Sequence, residues 1–458
     1  MHKKSKFDII EKVLMEAKLD GHFTYKRLIR NSIFPIIMMI VTSIYTIVDG
    51  LFISNNGTEA EFAAINLIWP AIMILASVGF MFGTGGCALV GKLLGEKKQE
   101  EADRSFTFIV LFLFAIGVLI NVIFAICMEP ISKLFGATQE MLPTCVTYGR
   151  MLSISLTLFM LQNLFQNFFS LAERPLTGLV INSLSGVLNI LLDATFVVGC
   201  KMGVMGAALG TIIAQSVGGI LPFLFFMNKN FTSRIHFVKP TLEFKAIGQS
   251  AYNGLSEFIS QVSINIVSIC VNSQAMKYIG QDGVFAYGVV LYVSAIFVLV
   301  FIGFNIAVAP IISYKYGEQD KLELQNLFKK CSIITAILGL TMCVFSLALA
   351  YPMSFCFVRD NQRLLDLTFK VNLIFSIYYL FVGINMFGSS FFTALNNGFV
   401  SGLFAIIRSL IITIALIFIL PLFMGGDGIW WSGGIAEFLS TGVLIFFLYK
   451  YRKRYEYF

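Results

Sequence analysis

Apolar runs of about 20 residues recur from residue 31 to residue 449, and they dictate what this chain can become. A bilayer core about 30 Å thick is crossed by roughly 20 helical residues, and inside it every backbone N–H and C=O must be paired within the protein. Twelve such runs are counted, centred near Ile40, Ile72, Leu113, Leu158, Leu188, Ile212, Val262, Ala295, Leu340, Tyr379, Ile412 and Leu439. Charged residues make up 13% of the chain and hydrophobic ones 57%, about half the charge of an ordinary soluble domain. No polar stretch is longer than the first 30 residues, so no soluble domain is expected. The expected fold class is all-α integral membrane, with twelve transmembrane helices.

The net charge of +7 is read as topology rather than as a nucleic-acid footprint, because Lys and Arg gather in loops that stay inside. With both termini inside, the inner segments hold 26 of the 33 basic residues and the outer segments hold 7, namely Lys133, Arg150, Lys201, Lys277, Arg359, Arg363 and Lys370. Cytoplasmic termini follow. Ile9, Ile10, Val13, Leu14 and Ala17 share one helical face in the basic first segment, which fits a short helix lying on the inner surface. No cleavable signal peptide is read there.

The chain also repeats itself. Residues 64–106 return as residues 286–328, 222 positions on and without a gap, pairing Ala64 with Ala286, Ile74 with Ile296, Val78 with Val300, Phe82 with Phe304, Gly95 with Gly317, Glu96 with Glu318, Glu101 with Glu323 and Phe106 with Phe328. The identities alone carry little. Their weight comes from an apolar-to-charged switch that falls at the same Gly-Glu step in both copies. Six spans per half is an even number, so both copies enter the membrane the same way and are related by a pseudo-twofold axis along its normal. The expected organisation is a cytoplasmic segment 1–30, an N-lobe 31–226 with helices 1–6, a cytoplasmic linker 227–247, a C-lobe 248–449 with helices 7–12, and a cytoplasmic end 450–458.

An ionisable residue inside a span costs about 2.5 to 3.5 kcal/mol on insertion scales, so each one calls for a reason. Asn182, Ser185, Asn189 and Asp193 are spaced by three, four and four residues and line one face of the fifth span. An amide oxygen one turn from a carboxylate suits Na⁺, and the same carboxylate can carry a proton; a hydrogen-bonded helix seam is the plain alternative. Thr42, Tyr45, Thr46 and Asp49 share a face at the end of the first span. On position alone Asp49 also fits an interfacial carboxylate in water. Ser250, Asn253, Glu257, Gln261, Asn265, Ser268 and Asn272 form a stripe down the whole seventh span, more than a packing seam needs, and read as a cavity wall. Arg408 and Glu437 are expected to neutralise each other, as a structural pair at least as readily as a transport device. Asn163 and Gln166 in the fourth span, with Gln162 and Asn167, and Tyr379 in the tenth, with Asn372, Tyr378 and Asn385, are candidates for further cavity lining.

Other motifs are set aside. The eight cysteines have no metal-ligand spacing. All three histidines (His2, His22, His236) lie in polar segments, which excludes an intramembrane histidine relay. Gly83-Thr84-Gly85-Gly86 lacks the strand and the Lys-Ser/Thr of a phosphate loop and reads as close helix packing. Trp430 and Trp431 are expected at an outer interface. No Ser-His-Asp or nucleotide motif supports an enzyme.

Taken in order along the chain, several of these segments resemble the multidrug and toxic compound extrusion (MATE) transporters, within them a MepA-like bacterial branch. The carriers are Val48-Asp49-Gly50-Leu51-Phe52-Ile53, Ala63-Ala64-Ile65-Asn66, Gly85-Gly86 through Leu94-Gly95-Glu96, Asn189-Ile190-Leu191-Leu192-Asp193, Gly254-Leu255-Ser256-Glu257-Phe258, and Gly428-Ile429-Trp430 to Ala436-Glu437. Each is soft alone; their order and spacing are specific, and they cover nearly the whole chain. The resemblance implies two six-helix lobes exporting amphipathic organic cations by Na⁺ or H⁺ antiport across a bacterial inner membrane. It implies a coupling-cation site at Asp49, Asn189 and Asp193, a C-lobe acid at Glu257, and a recurring Arg at Arg408. Glu257, Gln261, Asn163, Gln166, Tyr379 and Arg408 are then expected to line the substrate cavity. No cofactor other than the coupling ion, no nucleic-acid partner and a monomeric state are expected. One departure is the absence of a proline a turn or two beyond Arg408, near Ala415, which implies a straighter eleventh helix. A lipid-linked oligosaccharide flippase shares this broad architecture, but calls for more cationic charge in the cavity than Arg408 supplies.

Overall fold

The computed structural model describes residues 18–56, 58–228, 231, 233–358 and 361–458. The expected inner-surface face of Ile9 to Ala17, and the charges of Lys229 and Arg359, lie outside the described residues. Among the described residues the chain is helical, without strands. The membrane helices are α1 Tyr25–Asn56, α2 Glu59–Gly95, α3 Gln99–Ile126, α4 Leu142–Leu171, α5 Pro175–Gly199, α6 Gly203–Met227, α7 Phe244–Tyr278, α8 Gln281–Gly317, α9 Lys321–Phe357, α10 Gln362–Ala394, α11 Gly398–Met424 and α12 Gly426–Tyr455. Eleven cross as single helices; α10 is a pair, Gln362–Phe375 and Tyr378–Ala394, bent by 43°. The fold class is thus twelve transmembrane helices in two six-helix lobes, and every run counted in the sequence is a helix. A short helix, Met128–Leu134, rides between α3 and α4.

Helix ends follow local chemistry. Thr58 caps α2 with a reciprocal box, its hydroxyl receiving the Glu61 N–H and the Glu61 carboxylate receiving the Thr58 N–H. Pro175 opens α5 at its first turn, where its missing N–H costs nothing. The apolar faces of Ile126, Ile154, Leu184, Leu191, Phe418 and Phe446 point outward. That is the arrangement for a solvent of lipid tails, where burial of apolar side chains supplies no drive.

The halves correspond in packing as well as in sequence. In the N-lobe α2 packs on α4, α4 on α6, and α1 on α5; in the C-lobe α8 packs on α10, α10 on α12, and α7 on α11. Between lobes the contacts also pair off, α2 with α7 and α1 with α8, while α2 and α8 meet each other. This is the pattern of a twofold axis passing between α2 and α8.

The glycines of α2 serve this interface. A Cβ at Gly85 would overlap the Ser250 carbonyl and Gly254 of α7, and one at Gly254 would overlap the Met81 carbonyl. The glycine run is therefore close helix packing. Two details differ from expectation. Trp430 is buried in the C-lobe core with Val271, Ala275, Tyr287 and Ile417, rather than standing at a lipid interface, because its face of α12 turns into the lobe. Near Arg408, α11 has no proline but does have a π-helical stretch, Ile407–Ile412, so irregularity enters by a wide turn instead.

Candidate functional site: a buried carboxyl pair and its surroundings

The face read on α5 is buried along its length: Asn182, Ser185, Asn189 and Asp193 are each at most 3% exposed. Asp193 ends the regular part of α5 and leads into a π-helical turn, Ala194–Gly199. Such turns are rare and concentrate at functional positions. From α1, Asp49 brings its carboxyl within hydrogen-bonding reach of Asp193. Apart from each other, Asp49 Oδ1 and both Asp193 oxygens have no donor among the described residues. Two carboxylates this close in a medium of low dielectric repel strongly unless a proton or a cation lies between them. The Thr46 side chain, which shares the Asp49 face, lies outside the described residues.

Asn189 sits one turn from Asp193, and its Nδ2 lies 3.5 Å from Thr211 Oγ1 on α6. Its amide oxygen and the two carboxyls are oxygen ligands of the kind Na⁺ takes. The unpartnered carboxylate oxygens fit that role. Among the described residues no group of three His, Cys, Asp or Glu marks another kind of metal centre. Three neighbours escaped sequence reasoning. Gly210 of α6 lies against Asp193 Oδ1, where any Cβ would collide. Thr211 partners Asn189, and the buried Tyr148 of α4 lies near both carboxyls. Nothing in the local pattern of α4 or α6 marks them; only tertiary packing brings them here.

Toward the inner side the same face continues as a ladder. Asn182 donates from Nδ2 to Thr42 Oγ1 at 2.7 Å and receives Gln162 Nε2 at 2.8 Å and Gln166 Nε2 at 3.3 Å. Gln166 and Asn163 are buried in this structure.

The C-lobe is built differently. Arg408, on the π-helical stretch of α11, donates from Nε to both Glu437 oxygens at 3.0 Å and from Nη2 to Oε1 at 2.8 Å. Asn385 donates to Glu437 Oε2 at 2.6 Å. The expected neutralisation is therefore direct and bidentate. Glu257 is half-buried, accepts from Gln261 Nε2 at 3.1 Å and lies near Arg408. Below it Ser250 and Asn253 are fully buried, while Gln261, Asn265, Ser268 and Asn272 above are half-buried. The stripe is a wall only in its outer part. Tyr379 does not join this group; it packs against Phe297 and Phe375 in the C-lobe core.

The lobes are tied together at the end that carries Asp20 and the linker. Asp20 pairs with Arg234 at 2.8 Å and accepts from the Tyr314 hydroxyl at 2.5 Å, and Arg234 also reaches Glu173 at 2.8 Å. One turn away, Glu323 receives the Phe23 N–H at 2.8 Å and meets His22 Nδ1 at 2.7 Å. Asn396 donates to the Ala88 carbonyl at 3.0 Å. The segment before α1, the linker and both lobes thus share one polar staple. At the other end Ala63 and Asn66 on α2 and Phe285, Leu291 and Tyr292 on α8 are exposed.

Comparison with known proteins agrees with this construction. The MatE family description matches residues 35–195 and again 257–419, two blocks whose starts lie 222 positions apart. The multidrug export protein MepA of Staphylococcus saprophyticus is 24% identical over 432 residues, and that of Staphylococcus haemolyticus 25% over 434, each covering 94% of both chains. Among solved structures, an outward-facing multidrug resistance MATE family transporter of the MOP superfamily superimposes with a TM-score of 0.89 at 20% identity, over 99% of this chain and all of that one. A MATE structure in the bent conformation gives 0.87 over 99% of each chain.

Proposed function

This chain belongs to the MATE family of membrane transporters, and from that premise we propose that it exports amphipathic organic cations in exchange for Na⁺ or H⁺. The observation that carries this reading is the Asp49–Asp193 pair: two adjacent carboxyls inside the N-lobe, with Asp49 Oδ1 and both Asp193 oxygens without a donor among the described residues. Such a pair binds one small cation from the outside. Binding removes the repulsion between α1 and α5, so the two helices repack and the N-lobe cleft wall moves. Substrate is expelled outward, the lobes rock about the α2–α8 axis, and the cation leaves on the inner side. A one-for-one exchange of monovalent cations moves no net charge, so the ion's concentration gradient supplies the drive: a tenfold gradient is worth about 1.4 kcal/mol, enough for about tenfold accumulation.

Charge distribution supports a cationic substrate. Arg408 is paired with Glu437, which leaves Glu257 as the net charge on the C-lobe side. An anionic lipid-linked sugar would find little to hold it. In this reading the protein resides in a bacterial inner membrane with both termini in the cytoplasm and works as a monomer. Everted vesicles carrying the protein test the reading. A fluorescent cationic dye should accumulate when an outward-directed substrate cycle is driven by an imposed Na⁺ or pH gradient. No dye movement under either gradient overturns it.

A further inference from the structure

A cavity lies in the inner third of the N-lobe, between α4, α5 and α6, lined by Gln162, Gln166, Gly178, Asn182, Gly218 and Pro222, with aromatic rings behind them. Its polar lining is one-sided. The amide nitrogens of Gln162 and Gln166 are turned to Asn182 Oδ1. Their oxygens, on side chains only 3% and 5% exposed, have no partner among the described residues. Pro222 lies inside α6 and has no N–H, so the Gly218 carbonyl, four residues before it, loses its helical donor. Gly218 has no side chain to cover that carbonyl, and a Cβ there would strike the Gln162 amide. Two orphaned amide oxygens and the Gly218 backbone thus border one space. With the Gly218 carbonyl counted, the acceptors exceed the two hydrogen bonds a single water can donate, which suits a cation.

The place matters as much as the chemistry. Asn182 and Asp193 lie on one face of α5, eleven residues apart, which is about 16 Å along the helix. Asn189 and Ser185 stand between them. A polar file therefore runs from the carboxyl pair into this cavity without entering the cleft between the lobes.

We propose that this cavity is a transient station for a small monovalent cation, Na⁺ or hydronium, on its way from Asp49 and Asp193 to the cytoplasm. The coupling ion then leaves through the N-lobe interior, by a route separate from the substrate's. This inference rests on the antiport reading above.

Two substitutions act on the station and not on the carboxyl pair. Gln166→Leu removes the oxygen, and with it the amide that donates to Asn182, at nearly constant volume, whereas Gln166→Glu also lacks that donor but keeps the oxygen and adds charge. Gradient-driven dye export is measured in everted vesicles under a Na⁺ gradient and a pH gradient separately, beside dye-for-dye exchange, which needs no ion release. Gln166→Leu should lower gradient-driven export at least tenfold under whichever gradient drives the parent, with exchange unchanged, and Gln166→Glu should restore it. The driving gradient says which cation uses the station. Parent-like export by Gln166→Leu, equal loss of export and exchange, or failure of Gln166→Glu to restore export overturns the station alone. Absence of gradient-driven export in the parent overturns the antiport reading, and the station with it.

Discussion

Gly95 and Gly317 stand 222 positions apart in the sequence and pack against each other at the C-terminal ends of α2 and α8. A Cβ on Gly95 would overlap the Tyr314 carbonyl, and one on Gly317 the Lys92 carbonyl. Gly91 and Ser313, separated by the same interval, also meet. Equivalent residues of a duplicated chain touch only where the axis relating them passes. That axis runs through the contact between the C-terminal ends of α2 and α8, where, in the proposed orientation, the lobes must part for the molecule to open inward.

A methyl group at this contact should therefore open the inner side. Gly317→Ala is expected to raise the labelling rate of a cysteine placed at the buried Ser313, in a background without native cysteines, about tenfold with a membrane-impermeant maleimide applied from the inside. Unchanged labelling would show that the two glycines do not govern closure.

The staple around Asp20 gives a pH prediction. Hydrogen bonding to the Arg234 guanidinium holds the Asp20 carboxyl down at about 2, below its ordinary 3.8. A carboxylate depressed on folding contributes stability above its unfolded value and loses it as pH falls through the folded one. This contribution is thus fully present from pH 5 to pH 8 and fades only between about 4 and 2. Asp20→Asn should speed labelling at Ser313→Cys throughout pH 5 to 8, by a similar factor at each pH. A factor that changes with pH across that range would place the titrating group elsewhere.

Arg408 and Glu437 form a buried pair, and removing one partner strands the other. Glu437→Gln should lower stability by about 3 to 5 kcal/mol, read as a fall in thermal unfolding temperature in detergent. The double change Arg408→Met with Glu437→Leu should recover most of that loss, since replacing a whole buried pair by apolar groups is often neutral. If the double variant unfolds as early as the single one, the pair has a structural role that apolar packing cannot replace.

Gly210 offers a test of the carboxyl site that leaves every charge in place. Gly210→Ala puts a methyl against Asp193 Oδ1. It should depress gradient-driven export several-fold while thermal stability moves little. Export at the parent level would mean that Asp193 has room to move aside.

Much of this was legible in the chain. All twelve helices follow from hydropathy, since a lipid environment permits few other structures for such runs. The α5 face from Asn182 to Asp193 followed from helical spacing, and the Arg408–Glu437 pairing from the cost of a lone intramembrane charge. What stayed hidden depends on which helices meet. Asp49 looked on position alone like a residue at the water interface; its partner lies 144 positions away and is supplied by packing of α1 on α5. Gln166 and Asn163 were expected at the substrate cavity because they are polar. Both are buried, and the Gln166 amide is turned to Asn182 on α5. Tyr379 looked like lining for the same reason, but its ring lies among the aromatic side chains of the C-lobe core. The bend inside α10 carries no proline, so no local signal announced it.

The central claim is that Asp193 carries the coupling ion, and gradient-driven dye export by Asp193→Asn tests it most directly. With the protein in everted vesicles and each gradient imposed in turn, the account predicts loss of at least tenfold in export under the gradient that drives the parent, with dye binding to the purified variant retained. Export at the parent rate under both gradients would contradict it.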